Sequence, residues 1–247
     1  MTNSFIEKSS YQSSDTDLRV IFWNAGGLND VKFLQMKRDV VHYNADLFFI
    51  VETGAATEKP DFYQINGYST TILKRARQIA SGILIGSKNT LPVKPQILHE
   101  MEANDKLEAV LVNIWKNRQH FNIIALYNPP SNIPDYEIIQ RSIKFNTILI
   151  GDFNSPSQRW GYPRVTEAGK CLEEMIDNNL LEVVETPATF LSFAGHLSRP
   201  DLAITHSHIF DKTSVTLLDN AVGIEHSSLR QRHSKCHTKI QKLLDGT

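Results

Sequence analysis

Asp152 and Asn154, which follow the short apolar run 148–150, are residues of types that could carry out catalysis. A short apolar run that ends at a glycine, here Gly151, is typical of a buried β-strand. Because side chains alternate along a strand, Asp152 and Asn154 are expected to point the same way at the mouth of a sheet. The carboxylate can take a proton or hold a cation, and the amide can donate to a phosphate oxygen. An Asx-rich turn that only closes a strand explains the same pattern.

Polar side chains also stand where other predicted strands end, and this repetition favours the chemical interpretation. The full set is Asn24, Glu52, Tyr127, Asp152, Asn154, Asp201 and His226. These are residue types of metal-assisted hydrolysis, because carboxylate oxygen suits a hard cation such as Mg²⁺. An aspartate beside a phosphodiester can orient or deprotonate water. A histidine whose tautomer is fixed by a carboxylate can stabilise charge on the phosphate.

The elements that must position these residues are mostly strands. Apolar runs and alternation predict strands at 18–23, 45–51, 67–73, 82–87, 107–115, 120–126, 148–150, 181–184, 199–205 and 213–218. Helical spacing predicts helices only at 31–43, 134–142 and 167–178. Because strands and helices do not alternate strictly, we expect an α+β domain of two packed sheets with helices outside, and not a doubly wound sheet. The sequence contains neither GxGxxG nor GxxxxGK[ST], so no nucleotide-binding motif is present.

Composition limits the classes of protein. A chain of 247 residues suits one large domain. The formal net charge is −1, so binding of a polyanion requires a local patch such as Lys74, Arg75 and Arg77. The two cysteines lack the spacing of a zinc site and fit a reducing compartment. With no long apolar run and no signal peptide, we expect no membrane association.

The ends of the chain differ in composition from its centre. Residues 1–17 are polar and rich in Ser and Thr, and we expect a flexible leader there. The ordered domain is predicted over 18–229. Residues 230–247 are polar and basic, and we expect a tail or linker.

Seven motifs, taken in order, identify a family resemblance. They are WNAGGL (23–28), ET (52–53), LYNPP (126–130), GDFN…RWG (151–161), TF (189–190), RPDLAIT (199–205) and GIEHSSL (223–229). This set resembles the exonuclease–endonuclease–phosphatase superfamily, and within it the apurinic-type endonuclease domain of non-LTR retrotransposons. The resemblance implies a DNase I-like, four-layered α/β-sandwich, in which two packed, mostly antiparallel sheets are flanked by helices.

The resemblance also implies a metal site. It makes Glu52 the main ligand of one Mg²⁺ ion, which Mn²⁺ could replace, with Asn24 beside it and Glu225 near the same ion. The last motif departs from the family pattern, because Ser-Asp-His is replaced by Ile224-Glu225-His226. The carboxylate is one methylene longer and a hydroxyl is lost, so we expect weak activity that the family sequence would restore.

The remaining roles implied by the resemblance concern the reacting phosphate. Asp152 would orient or activate the attacking water, and Asn154 would hold the scissile phosphate. Tyr127 would lie near the phosphate or the water. His226 would bind a phosphate oxygen, and Asp201 would orient His226 from behind.

The implied activity is hydrolysis of phosphodiesters in double-stranded DNA. An enzyme of this kind nicks one strand and leaves a 3′-hydroxyl that primes reverse transcription of a retroelement. We therefore expect an intracellular monomer that acts in the nucleus and is fused to, or derived from, a reverse-transcriptase polyprotein. Two alternatives stay open, a catalytically impaired DNA-binding relic and a phosphoesterase that acts on a phosphoinositide or another small phosphate ester.

The sequence offers several candidate loops for contacts with DNA, and it leaves the roles of several aromatic residues and histidines open. The loops 74–77, 113–119 and 192–199 are candidates to reach the DNA grooves. Tyr127 and Phe190 each fit a core aromatic as well as a site residue. Trp160 is expected to pack beneath the active-site loop. His206 and His208 stand at strand spacing but lack a third metal ligand.

Overall fold

The computed structural model describes residues 17–54, 58, 62–74, 81–91, 93–186, 188–191, 197–218, 232–233 and 235–240. The strands are β1 (Leu18–Asn24), β2 (Leu47–Val51), β3 (Tyr68–Leu73), β4 (Ile83–Lys88), β5 (Gln96–His99), β6 (Glu108–Lys116), β7 (Gln119–Tyr127), β8 (Thr147–Asp152), β9 (Leu181–Val183), β10 (Phe190–Leu191), β11 (Leu197–Ser198), β12 (Asp201–His206), β13 (Thr213–Leu218), β14 (Arg232–His233) and β15 (Lys235–Ile240). The α-helices are α1 (Asp30–His42), α2 (Glu137–Gln140) and α3 (Glu167–Asn178). Short 3₁₀ helices cover Gln158–Trp160 and Ser207–Lys212. Within the described part of the chain, no helix has the length and apolar character of a membrane span.

The strands form two six-stranded sheets and one small sheet. The first sheet has the order β13-β15-β1-β2-β4-β3, and the second has the order β5-β6-β7-β8-β12-β9. The small sheet has the order β11-β10-β14. Strands β1 and β2 pair in parallel, as do β7 and β8, and the other pairs are antiparallel. The predicted α+β sandwich of two mostly antiparallel sheets is confirmed.

Three apolar clusters join four layers. The cluster between the sheets includes Phe22, Phe49 and Ile123. Helix α1 packs on the outer face of the first sheet, and α3 packs with α2 on the outer face of the second. The strands of both sheets carry apolar side chains on both of their covered faces. Burying one large apolar side chain fully stabilises a fold by about 1.5–3 kcal/mol.

Local chemistry fixes where the helices and strands near the site begin and end. Asn29 caps α1 by accepting from the backbone N–H of Lys32, at 2.9 Å. Thr166 caps α3 by accepting from the N–H of Gly169, at 3.1 Å. At Gly151 any side chain would collide with the carbonyl oxygen of Leu126. The glycine therefore lets β8 lie close against β7, one residue before Asp152.

Two predictions about the chain ends are corrected. Residues 235–240 are not a tail or linker, because they form β15 between β1 and β13 in the first sheet. The prediction failed because it weighed polar side chains, whereas a strand is held by backbone hydrogen bonds that do not depend on them. Asp17, assigned to the leader, is buried, and its carbonyl oxygen accepts from Lys116 Nζ at 2.6 Å. Residues 1–16 lie outside the described part of the chain.

Candidate active site

One edge of the sandwich collects the polar residues that end the strands. In the second sheet, Tyr127 pairs with Asp152 across β7 and β8, and Asp152 pairs with Asp201 across β8 and β12. In the first sheet, β1 ends at Asn24 and β2 is followed directly by Glu52. The two sheets share one apolar cluster, so the two groups face each other. Five of the predicted site residues therefore meet at one edge.

Asn24 joins the carboxylates of the two sheets. Its side-chain Nδ2 donates to Glu52 Oε1 at 2.9 Å and to Asp152 Oδ2 at 2.7 Å. Its Oδ1 accepts from the backbone N–H of Gly26 at 2.9 Å, which fixes the orientation of the amide. Since Asn24 is only 1% exposed, these bonds are shielded from water. The carboxylates of Glu52 and Asp152 therefore lie close together, and a cation near them would reduce their mutual repulsion.

The backbone at Glu52 is held in an unusual conformation. Its φ is +51°, in the left-handed region that non-glycine residues seldom adopt. The Glu52 carbonyl oxygen accepts from the N–H of Gly27 at 2.8 Å. The next two N–H groups, of Thr53 and Gly54, donate to the carbonyl oxygens of Gly82 and Ser81 at 3.2 and 3.0 Å. Hydrogen bonds on both sides therefore fix the direction of the Glu52 side chain.

Tyr127 belongs both to the core and to the site. Its ring is part of the cluster between the sheets and is 2% exposed. Burial raises the pKa of its hydroxyl, and the nearby Glu52 and Asp152 carboxylates raise it further. The hydroxyl stays protonated and is hydrogen-bonded to Glu52. Tyr127 is therefore a hydrogen-bond donor towards the Glu52 carboxylate.

Asp152 and Asn154 are adjacent at the end of β8. Asp152 Oδ1 accepts from the backbone N–H of Asn154 at 3.2 Å. Burial raises the pKa of Asp152 well above its ordinary value and Asp201 raises it further, against the opposing hydrogen bond from Asn24. Asn154 has a φ of +42°, and its Nδ2 donates to the carbonyl oxygen of Asn128 at 2.9 Å. One donor of the half-exposed Asn154 amide is left for a ligand.

Asp201 is a buried carboxylate without a hydrogen-bond partner of good geometry. It is 2% exposed, and neither of its oxygens has a partner among the residues that the structure describes. Burial raises its pKa to about 7; the nearby Thr189 hydroxyl opposes that rise, and Glu52 adds to it. Because Asp152 and Asp201 stand side by side, we expect the pair to hold a proton near neutral pH.

Sequence reasoning missed a further buried carboxylate, Glu108. It begins β6 beside Tyr127 and is 1% exposed. Its two oxygens accept from the backbone N–H of Gly82, at 3.2 and 2.9 Å. Glu108 therefore anchors the segment that holds the Glu52 loop. The signal was present, because alternation along β6 puts Glu108 on the same face as the core residues Val110 and Val112.

The residues present suit a hard divalent cation with few protein ligands. Among the described residues, no group of three His, Cys, Asp or Glu side chains forms a metal cage. Mg²⁺ is usually held by one or two carboxylates together with water and substrate phosphate. Glu52, whose carboxylate lies at the edge beside Asn24, supplies one such carboxylate.

Several predicted residues lie away from the edge or outside the described part. His226, Glu225, Arg75 and Arg77 lie outside it. Lys74 is exposed and follows Leu73, which pairs with Ile83 at the same edge as Glu52. Of the predicted loop 113–119, residues 113–116 end β6 and Gln119 begins β7, so only residues 117–118 form the turn, which lies at the opposite edge of the sheet from the site.

Trp160 has the packing role expected from the sequence. It is 3% exposed, and its indole N–H donates to the carbonyl oxygen of Ser155 at 2.9 Å. The indole therefore supports the loop that follows Asp152 and Asn154.

The two sheets and the polar edge between them define a DNase I-like sandwich. Three solved structures share this fold. One is the endonuclease domain of TRAS1, a telomere-specific non-LTR retrotransposon, with 15% identity, a TM-score of 0.66, and coverage of 91% of this chain and 98% of that one. The AP endonuclease LMAP from Leishmania major has 13% identity, a TM-score of 0.70, and coverage of 97% and 92%. The human Nocturnin catalytic domain has 13% identity, a TM-score of 0.62, and coverage of 92% and 93%.

Part of the chain also matches the sequence model of a protein family. Residues 121–230 match the family described as Endonuclease-reverse transcriptase. Together with the shared fold, this match confirms the predicted resemblance to the exonuclease–endonuclease–phosphatase superfamily and to retrotransposon endonuclease domains. A comparison with curated proteins gives no match.

Proposed function

We propose that this protein is a Mg²⁺-dependent endonuclease that nicks one strand of duplex DNA and leaves a 3′-hydroxyl. The observation that carries the proposal is the hydrogen-bonded junction of Glu52, Asn24 and Asp152 at the open edge of the sandwich. The family match and the similarity to a retrotransposon endonuclease domain support DNA as the substrate.

Glu52 would hold the cation, with Asn24 beside it and Glu225 as a further carboxylate. A bound Mg²⁺ would supply Lewis-acid stabilisation of charge on the phosphate and the leaving oxygen. The backbone hydrogen bonds at Glu52 set the direction of its Cα–Cβ bond, and the hydrogen bond from Asn24 holds its carboxylate at the edge.

Asp152 would accept the proton of the attacking water. A carboxylate whose pKa is raised by burial and by Asp201 is a better base near neutral pH than an exposed aspartate. Tyr127 would lie near the phosphate or the water with its hydroxyl hydrogen-bonded to Glu52, and the second amide N–H of Asn154 would donate to the scissile phosphate. These donors act together in a site shielded from water, where each is worth more than in solution.

His226 would bind a phosphate oxygen with its tautomer set by Asp201. The proposed role of Asp201 is supported by its burial, because apart from the nearby Thr189 hydroxyl its carboxylate has no hydrogen-bond donor among the described residues. A buried carboxylate in that state costs free energy unless a donor completes it. A histidine ring N–H is a donor of the right kind.

Duplex DNA would lie along the edge and extend towards the cations of the 74–77 loop. Lys74 follows β3, which is two strands from β2 in the first sheet. Two strand spacings are about 10 Å, a reach suited to the phosphates beside the cleaved one. With Arg75 and Arg77 this loop would contact the backbone of any sequence.

We place this reaction in the life cycle of a retroelement. The 3′-hydroxyl would prime reverse transcription by a polymerase of the same polyprotein. The domain would then work as a monomer inside the cell, in the nucleus. The description of the matched family, Endonuclease-reverse transcriptase, supports the link to a reverse transcriptase.

Nicking of supercoiled plasmid tests the proposal. We expect wild type to convert plasmid to the open circle with Mg²⁺ and not with EDTA, and Asp152→Ala to be inactive. A DNA polymerase should then extend the nicked strand without prior trimming. Binding without nicking would favour the catalytically impaired relic, and activity on small phosphate esters alone would favour a phosphoesterase.

A further inference from the structure

The outer face of the second sheet is covered by helices over only part of its length. Helix α3 packs on this face, and its Leu172 and Ile176 join the same cluster as Leu149. At the other end of the same face, Trp115 and Phe145 are 66% and 70% exposed. Two large rings thus stand on a sheet face where no helix covers them among the described residues.

These rings belong to a cluster that we name the far-end patch. Its members are Trp115, His120, Phe145, Leu180, His206 and His208. The Trp115 and His120 rings are 5.0 Å apart. Phe145 lies 5.3 Å from the His206 ring and 6.3 Å from the His208 ring. Each exposed ring is therefore supported at its side by imidazole.

The patch is continuous across four neighbouring strands. Trp115 ends β6 opposite His120 of β7. The side-chain amide of Asn146, which follows Phe145, donates to the carbonyl oxygen of His120 at 2.8 Å. His206 ends β12, the next strand beyond β8. At about 4.8 Å per strand, the patch spans about 15 Å.

Two exposed cations, Arg118 and Lys144, stand beside the patch. Neither forms an ion pair with a described residue. Burial lowers the pKa of His120, and the nearby Lys144 lowers it further. Burial also lowers the pKa of His206, and the nearby His208 lowers it further. Within the described part of the chain, no carboxylate contributes to either shift. The rings are therefore flanked by two cations and by imidazole rings.

The far-end patch is separate from the catalytic edge. Strand β7 runs from Gln119 at the patch end to Tyr127 at the site. Its length is about 27 Å at 3.4 Å per residue. A duplex held for cleavage at one edge therefore leaves the other free.

We propose that the far-end patch binds single-stranded nucleic acid, with bases stacked on Trp115 and Phe145 and the strand backbone beside Arg118 and Lys144. Stacking on exposed aromatic side chains along a basic surface is how proteins bind single strands without sequence preference. One exposed ring would be ordinary. Two exposed rings on one sheet face, beside two cations without an ion pair among the described residues, complement the flat bases and charged backbone of a strand. The proposal goes beyond the nicking reaction and does not depend on it.

Tryptophan fluorescence gives a direct test with the full chain. Of the three tryptophans, Trp23 and Trp160 are 6% and 3% exposed, so Trp115 is the one open to a stacked base. Oligothymidylate and oligouridylate of about twelve nucleotides should both quench the emission. Trp115→Phe should lose the quenching and keep most of the binding. The relative affinity of the two oligonucleotides tells whether DNA or RNA is preferred.

A double variant tests the energetic role of the rings. Trp115→Ala with Phe145→Ala should weaken single-strand binding by roughly 5- to 150-fold for each ring. Plasmid nicking and the thermal midpoint should not change, since both rings are mostly exposed. Phe62→Ala is the matched control, because Phe62 is 63% exposed and its ring lies beside that of Tyr63, in the segment before β3 and away from the patch. Its affinity should equal that of wild type.

Three results would overturn the proposal. The first is equal single-strand affinity in wild type and the double variant. The second is no quenching of Trp115 on binding. The third is self-association of the wild type that the double variant abolishes while single-strand affinity is unaffected. That outcome would assign the patch to a second copy of the chain.

Discussion

Replacing Glu108 by Gln should change how the stability of the fold depends on pH. Burial raises the pKa of Glu108 from 4.5 to about 7, against the opposing hydrogen bond from Gly82, and Glu100 and Glu52 add to the rise. Between these two values the folded protein keeps the proton that the unfolded chain has lost. The free energy of unfolding therefore decreases as pH rises through this interval, and the penalty is fully present above pH 7.

The size of the effect follows from the shift. One pKa unit corresponds to about 1.4 kcal/mol, so the rise to about 7 amounts to about 3 kcal/mol between pH 4.5 and 8. Glutamine keeps an oxygen that can accept from the N–H of Gly82 but cannot ionise. Glu108→Gln should therefore gain about 3 kcal/mol relative to wild type over this range, whatever its stability at pH 4.5.

Urea unfolding at several pH values, in EDTA, measures this difference. The exposed Glu102→Gln is the matched control and should follow the wild-type curve at every pH. Parallel pH profiles for Glu108→Gln and wild type would refute the reasoning. They would mean that Glu108 is ionised in the folded protein throughout the range.

Three further predictions concern the reaction. His226→Ala should lower kcat by about 10²–10⁴, and Asp201→Asn should lower it less because the imidazole stays in place. A larger loss of the single-turnover nicking rate in Asp201→Asn than in His226→Ala would contradict these roles. Removing the three cations of the 74–77 loop should weaken duplex binding for all sequences and flatten its salt dependence by about one unit per lost phosphate contact, so an unchanged slope would exclude the loop from the interface. Ile224→Ser with Glu225→Asp should raise the nicking rate at saturating Mg²⁺, and a wild type that already matches this variant would show that the departure is neutral.

Strand ends were the most informative part of the sequence. Asn24 and Glu52 could be selected because each follows an apolar run, and such runs specify buried strands. Tyr127 could not be assigned to the core or the site from its position. The structure shows that it serves both, since a buried ring can carry its hydroxyl to the edge of a sheet.

Other features depend on contacts between distant segments. The pairing of Asp152 with Asp201 follows from the register of two strands far apart in the chain, which no local pattern encodes. The positive φ of Glu52 is stabilised by backbone groups of Gly27 and Gly82 and leaves no mark on residue type. Strand β15 was missed because its backbone pairing outweighs its polar composition.

Binding of Mn²⁺ to wild type and to Glu52→Gln tests the central claim most directly. The account predicts one ion per chain for wild type. The variant should bind far more weakly and lose plasmid nicking while its thermal midpoint is retained, because losing one carboxylate removes most of the affinity for a hard cation. Unchanged affinity and turnover in Glu52→Gln would contradict the account and remove Glu52 from the metal site.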